Sequence, residues 1–136
     1  MPDLAYVAAP IIGYLGAGTL KFVINSVIAR RLAFRQIGLG GMPSTHTTIV
    51  ASATALTAFR AGIGTPVFSL AVAVMMIVII DAVDLRRKIG QHARALQRLM
   101  PDGSRMELRE RVGHSPAEIL AGVVLGIVIG AVLANW

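Results

Sequence analysis

Apolar residues fall along this chain in long blocks, without the strict alternation of a half-buried strand. Four windows free of Asp, Glu, Lys and Arg stand out: residues 4–20, which continue helically past Lys21 toward Ala29, then 47–59, 61–80 and 119–136. A helix needs about 17–25 apolar residues to cross ~30 Å of hydrocarbon, and three of the four windows reach that length. The window at 47–59 is short and rich in Thr and Ala. A buried, tilted or partly re-entrant helix there competes with a full span. The pattern predicts an all-α, polytopic membrane helix bundle with about four transmembrane spans, forming one domain over residues 1–136.

The connections carry the polar residues: 30–41, a tight turn at 60–66, and a long stretch at 84–115. Within the last, Leu85, Ile89, Ala93, Leu96 and Met100 recur at helical spacing, with Arg86, Arg87, Lys88, Arg94 and Arg98 around them. That pattern predicts a cytoplasmic amphipathic helix at the membrane interface. Pro101, Asp102 and Gly103 then predict a turn, and residues 104–112 a short second helix. In the last window Gly122, Gly126 and Gly130 stand four apart, a smooth stripe that lets a neighbouring backbone come close. The stripe fits a neighbour in the same chain or in a second copy, so a homodimer stays open.

Composition places this bundle in a bilayer. Hydrophobic residues make up 55% and charged residues 15%, against roughly a quarter charged in soluble proteins. There is no Cys, which excludes a disulfide framework, a thiolate nucleophile and a Cys-based zinc site. Of 13 Lys and Arg, all but Lys21 and Arg60 fall in the first and third connections, which share one face of a four-span protein. The positive-inside rule makes that face cytoplasmic and puts both termini outside. Only Asp3 among charged residues precedes the first apolar stretch, which lacks the basic start of a secretory signal and is expected to stay in the mature protein. The expected location is integral to a membrane, the bacterial inner membrane, with anionic headgroups as the partner of the basic clusters at ~1 kcal/mol per charge. The net charge of +6 therefore gives no reason to expect a nucleic acid.

Candidate chemistry lies where the two cytoplasmic connections re-enter the membrane. The first re-entry reads Gly40-Gly41-Met42-Pro43-Ser44-Thr45-His46. Glycine gives the turn freedom, Pro43 stops a preceding helix, and Ser44 or Thr45 can cap the next one, whose free N–H groups would suit a phosphate. An ordinary capped helix with a surface histidine is the competing reading. The second re-entry reads Gly113-His114-Ser115-Pro116-Ala117-Glu118. Ser115 and Glu118 can form a capping box around Pro116. Glu118 can equally accept the ring N–H of His114, fix its tautomer and leave the other nitrogen free to attack. Two histidines on one face among arginines suit phosphoryl transfer, one as nucleophile and one as proton donor.

With Asp81-Ala82-Val83-Asp84-Leu85-Arg86-Arg87 between them, these two segments resemble the divergent branch of the phosphatidic acid phosphatase type 2 superfamily, related to vanadium haloperoxidases. The resemblance spans Lys21 to Gly126. It implies a metal-independent membrane lipid phosphatase that hydrolyses a lipid phosphomonoester or diphosphate through a phosphohistidine, with no cofactor. On that pattern His114 matches the nucleophile, Glu118 its orienting acid, His46 the general acid, and Lys21 and Ser44, with the amides after it, the phosphate site. Thr45 belongs to the same cradle.

The chain departs from the superfamily pattern at Ile28 and Leu108, where arginines stand elsewhere, and in having Glu118 in place of Asp. Arg86 and Arg35 are the candidate replacements as phosphate ligands. An arginine can make two parallel contacts to phosphate, and Asp81 would hold Arg86 in place. An interfacial pair of Asp81 with Arg86, beside an Asp84–Lys88 pair, is the plainer reading. His92 reads as a surface residue, and no metal-ligand spacing is present. The alternative function is a non-catalytic protein that binds or transports a lipid phosphate.

Overall fold

The computed structural model describes residues 4–30, 41–99 and 113–136. Arg35, the turn at 101–103 and the helix expected at 104–112 lie outside them. Every regular element described is helical: α1 (Ala5–Ala29), α2 (Thr45–Arg60), α3 (Pro66–Ile80), a π-helical turn (Asp81–Leu85), α4 (Arg86–Leu99) and α5 (Pro116–Ala134). Three stretches are long and apolar enough to cross a membrane: Ala5–Ala29, Pro66–Leu99 and Pro116–Ala134.

The remaining helix, α2, sits at the centre. It packs against α5, α1 and α3. Its 16 residues give about 24 Å of helix, and it buries Thr47, Thr48, Ala51, Ser52, Thr54, Ala55, Leu56 and Thr57. A helix this polar sits among apolar spans because each buried hydroxyl finds an acceptor. Thr48 and Thr57 donate back to carbonyls four residues earlier, at 2.9 and 2.8 Å. Ser52 reaches Ala9 O of α1 at 3.0 Å, and Thr54 reaches Ala71 O of α3 at 3.3 Å. These last two contacts tie α2 to its neighbours where lipid tails supply no hydrophobic drive toward association.

The glycine stripe of α5 is filled from within the chain. A Cβ added at Gly126 would stand 2.5 Å from Ala51 Cβ and 2.8 Å from Ser52 N, so only hydrogen fits between the helices. On α1 the buried positions are Ala5, Ala9, Gly13, Ala17 and Lys21, one residue per turn along a single side. At the far end of the bundle Arg60 donates to Leu133 O at 2.8 Å and Ala134 O at 3.3 Å, capping the last carbonyls of α5. The lone arginine of that face thus has a structural task.

Beyond α3 the chain does not break. No Pro or Gly interrupts residues 67–89, and α3 runs through the π turn into α4, where the amphipathic pattern predicted a separate interfacial helix. The π turn contains one residue more than an α turn, and its effect falls on Arg86.

Candidate functional site at the convergent histidine turns

Both histidine turns are built in the same way. Gly41 (φ +126°) precedes the first and Gly113 (φ +113°) the second, a backbone region that side chains rarely enter. Each turn then presents a serine N-cap. Ser44 Oγ accepts from Thr47 N at 3.4 Å and from Thr47 Oγ1 at 2.9 Å. Ser115 Oγ accepts from Glu118 N at 3.3 Å.

Two backbone hydrogen bonds bring the turns together. Ser44 N donates to Glu118 O at 2.9 Å, joining the start of α2 to the first turn of α5. His114 N donates to Ala82 O at 3.2 Å, joining the second turn to the π segment. Three parts of the sequence distant from one another are thereby joined: the two turns and the π segment.

The two readings of Glu118 hold together. Its Oε2 accepts from Ser115 N at 3.1 Å, completing the capping box, and the same oxygen lies 2.9 Å from His114 Nδ1. The His114 side chain is 8% exposed. With Nδ1 engaged by a carboxylate, Nε2 is the nitrogen left for chemistry.

Arg86 Nε donates to Asp81 Oδ2 at 2.8 Å, and Lys88 to Asp84 at 2.8 Å. Asp81 and Arg86 are five apart, and in an α-helix such residues point about 140° away from each other. The wider π turn, in which Arg86 N bonds Asp81 O, brings them onto one side. The guanidinium Nη groups of Arg86 have no partner among the described residues.

Lys21 is 8% exposed and has no hydrogen bond to a described residue, and its ammonium lies in the field of Glu118. His46, at the head of α2 and ahead of the apolar run, is exposed to the open side. Its pKa is pulled below the ordinary imidazole value, first by the protein packed around it and then by Arg86, His114 and Lys21, with Asp81 acting in the opposite direction. Each of these side chains therefore acts electrostatically on His46.

Ser44 is completely buried, and its hydroxyl oxygen accepts the two cap hydrogen bonds from Thr47. The amides of Thr45 and His46 have no acceptor among the described residues and form the free donor end of α2. Ile28, where the superfamily pattern has arginine, is 77% exposed on the outer side of α1. Sequence reasoning missed the Ala82 carbonyl, because nothing in the residue types signals a π turn. Among the described residues no group of three or more His, Asp or Glu is placed to hold a metal ion.

An all-helical integral membrane protein with Lys21 and Arg86 in electrostatic reach of two histidine turns is the class that fold and site define. The chain belongs to the divergent PAP2 family, whose model matches residues 4–129. It is similar to the uncharacterized membrane protein YuiD of Bacillus subtilis (strain 168), at 28% identity over 88% of this chain and 87% of that protein. No solved structure matches the chain.

Proposed function

We propose that the protein is a lipid phosphatase that hydrolyses a phosphomonoester or diphosphate at the headgroup of a membrane lipid, through a phosphohistidine on His114. The observation that carries this reading is the His114 Nδ1–Glu118 Oε2 contact of 2.9 Å, in a turn hydrogen-bonded through its own backbone to both the π segment and the head of α2.

In the first step the Nε2 lone pair of His114 attacks phosphorus and the bond from phosphorus to the leaving oxygen breaks. Protonated His46 gives its proton to that oxygen, and the lipid alcohol or monophosphate departs. Glu118 offsets the positive charge that develops on the His114 ring. In the second step water attacks phosphorus, neutral His46 takes its proton, the N–P bond breaks and inorganic phosphate leaves. Lys21, Arg86 and the amides of Thr45 and His46 neutralise the charge spread over the phosphoryl oxygens, with Asp81 positioning Arg86. Membership of the divergent PAP2 family supports a phosphatase-related role. The basic connections support a cytoplasmic location for this face, with the substrate reached from the inner leaflet.

The test is release of inorganic phosphate from a panel of lipid phosphates by purified protein in EDTA, with His114→Ala alongside. The expected result is release by the wild type, none by His114→Ala, and an acid-labile phosphoenzyme on rapid quench. Phosphate binding without release would establish the binding or transport alternative, and release that survives His114→Ala would remove the phosphohistidine.

A further inference from the structure

Along α1 the side facing the bundle carries Ala5, Ala9, Gly13 and Ala17, and then changes character at Lys21. The next position at the same spacing is Asn25. The small residues have partners: Gly13 lies against Ser52, and the Ala9 carbonyl accepts from the same hydroxyl. Asn25 has none. It is half-buried, and no described residue is within hydrogen-bonding reach of its carboxamide. It lies beside the first histidine turn, where a Cβ built on Gly41 would be 3.8 Å from Asn25 Oδ1.

A partly enclosed carboxamide without a partner is costly in a membrane helix, and polar groups turned inward there ordinarily meet a ligand, water or each other. Here the neighbouring groups are Lys21, one turn deeper on α1, and the turn that ends in His46. Lys21 acts on both Glu118 and His46, so the side of α1 that carries it borders the candidate phosphate site. Asn25 stands at the outer lip of that border, about 6 Å further along the helix.

We infer that Asn25 is a phosphate-binding residue, its carboxamide donating to an oxygen of the phosphate group whose charge Lys21 neutralises. This rests on the phosphate site proposed above and adds a neutral donor to a set otherwise made of cations and backbone amides. A neutral donor orients an oxygen without adding to the positive charge that already acts on His46.

The experiment uses the full-length protein in detergent with inorganic phosphate as the probe, followed by calorimetry, so that the readout is independent of turnover. Asn25→Leu removes the donor, Asn25→Asp sets a carboxylate of equal size against the anion, and Asn25→Gln keeps a donor on a longer arm. The expected losses of affinity are about tenfold to a hundredfold for Asn25→Leu and larger for Asn25→Asp, with Asn25→Gln closest to the wild type. The thermal midpoints of Asn25→Asp and the wild type are compared in the same samples. Asn25→Asp binding phosphate as the wild type does would overturn the role of Asn25 and leave the phosphatase reading standing. A wild type that binds no phosphate at all would overturn both.

Discussion

Ser44 and Glu118 are joined through their backbones, N to O at 2.9 Å, although one begins α2 and the other lies in the first turn of α5. The approach depends on Gly122, where an added Cβ would stand 2.7 Å from Ser44 O. The same glycine stripe that packs two helices therefore sets the spacing of the two histidine turns.

Gly122→Ala is expected to push the heads of α2 and α5 apart. Gly130→Ala, which meets Ala55 Cβ at 2.7 Å and Leu56 N at 2.8 Å at the other end, is the control. Both variants should lose about 1–3 kcal/mol of stability from overpacking. Only Gly122→Ala should also lose phosphate release, measured at a temperature where both remain folded. Equal activity in the two would separate the packing from the site.

Ser115 and Glu118 share a capping box, but only Glu118 also contacts His114 Nδ1. Ser115→Ala should cost about 0.5–2 kcal/mol of stability and leave most of the turnover. Glu118→Gln can still accept from Ser115 N while withdrawing the charge beside His114 Nδ1, so it should fold and lose about 10²- to 10⁴-fold in rate. Thermal melts and single-turnover rates on both variants check this, and a fast Glu118→Gln would reduce Glu118 to a cap.

Arg86→Lys keeps a charge but loses the planar fork, and Asp81→Asn loses the ion that holds the guanidinium. If Arg86 binds phosphate, both should raise KM about tenfold or more, with Asp81→Asn the milder. Unchanged KM in Arg86→Lys would return the pair to a structural role.

The pH dependence follows from His46. A general acid must be protonated, and the pKa of His46 lies below the ordinary imidazole value. The value of kcat/KM should therefore fall as pH rises through that lowered pKa. A bound phosphate dianion offsets Arg86 and Lys21 and raises the pKa, so the fall in kcat should come at higher pH. Asp81→Asn removes the group that raises the pKa and should move the kcat/KM limb to still lower pH. A pH–rate series on the wild type and Asp81→Asn tests both signs; limbs above pH 7 in kcat/KM would contradict them.

Arg60→Gln, remote from the histidines, should destabilise the bundle by about 1–3 kcal/mol as the carbonyls of Leu133 and Ala134 lose a charged donor. Phosphate release per folded molecule should not change. Chemical denaturation beside an activity assay decides it.

The sequence made much of this legible where the interaction is local. His114 and Glu118 are four apart on a helix start, and the capping box is written in three residues, so both could be read without tertiary information. The glycine stripe showed that something packs closely, but what packs there is α2, a helix whose thin hydrophobic pattern understated its burial. Its Thr and Ser residues are internal because they bond to nearby carbonyls, which hydropathy does not register. Asp81 and Arg86 were paired by residue type alone; five-residue spacing argues against contact in an α-helix, and only the π turn reconciles them. Residue types alone offer Ser44 or Thr45 as the cap; that it is Ser44, completely buried with α5 lying across it, is a fact of tertiary structure.

The surplus residue within Asp81–Leu85 has a consequence for how the molecule can change. It sets the azimuth of Arg86 and also supplies the Ala82 oxygen to the His114 amide. Deleting one amino acid there would restore ordinary helical winding, swing the guanidinium around the axis and withdraw that oxygen in a single event. The guanidinium of Arg86 and the His114 turn are thereby geared together, so neither can drift without dragging the other.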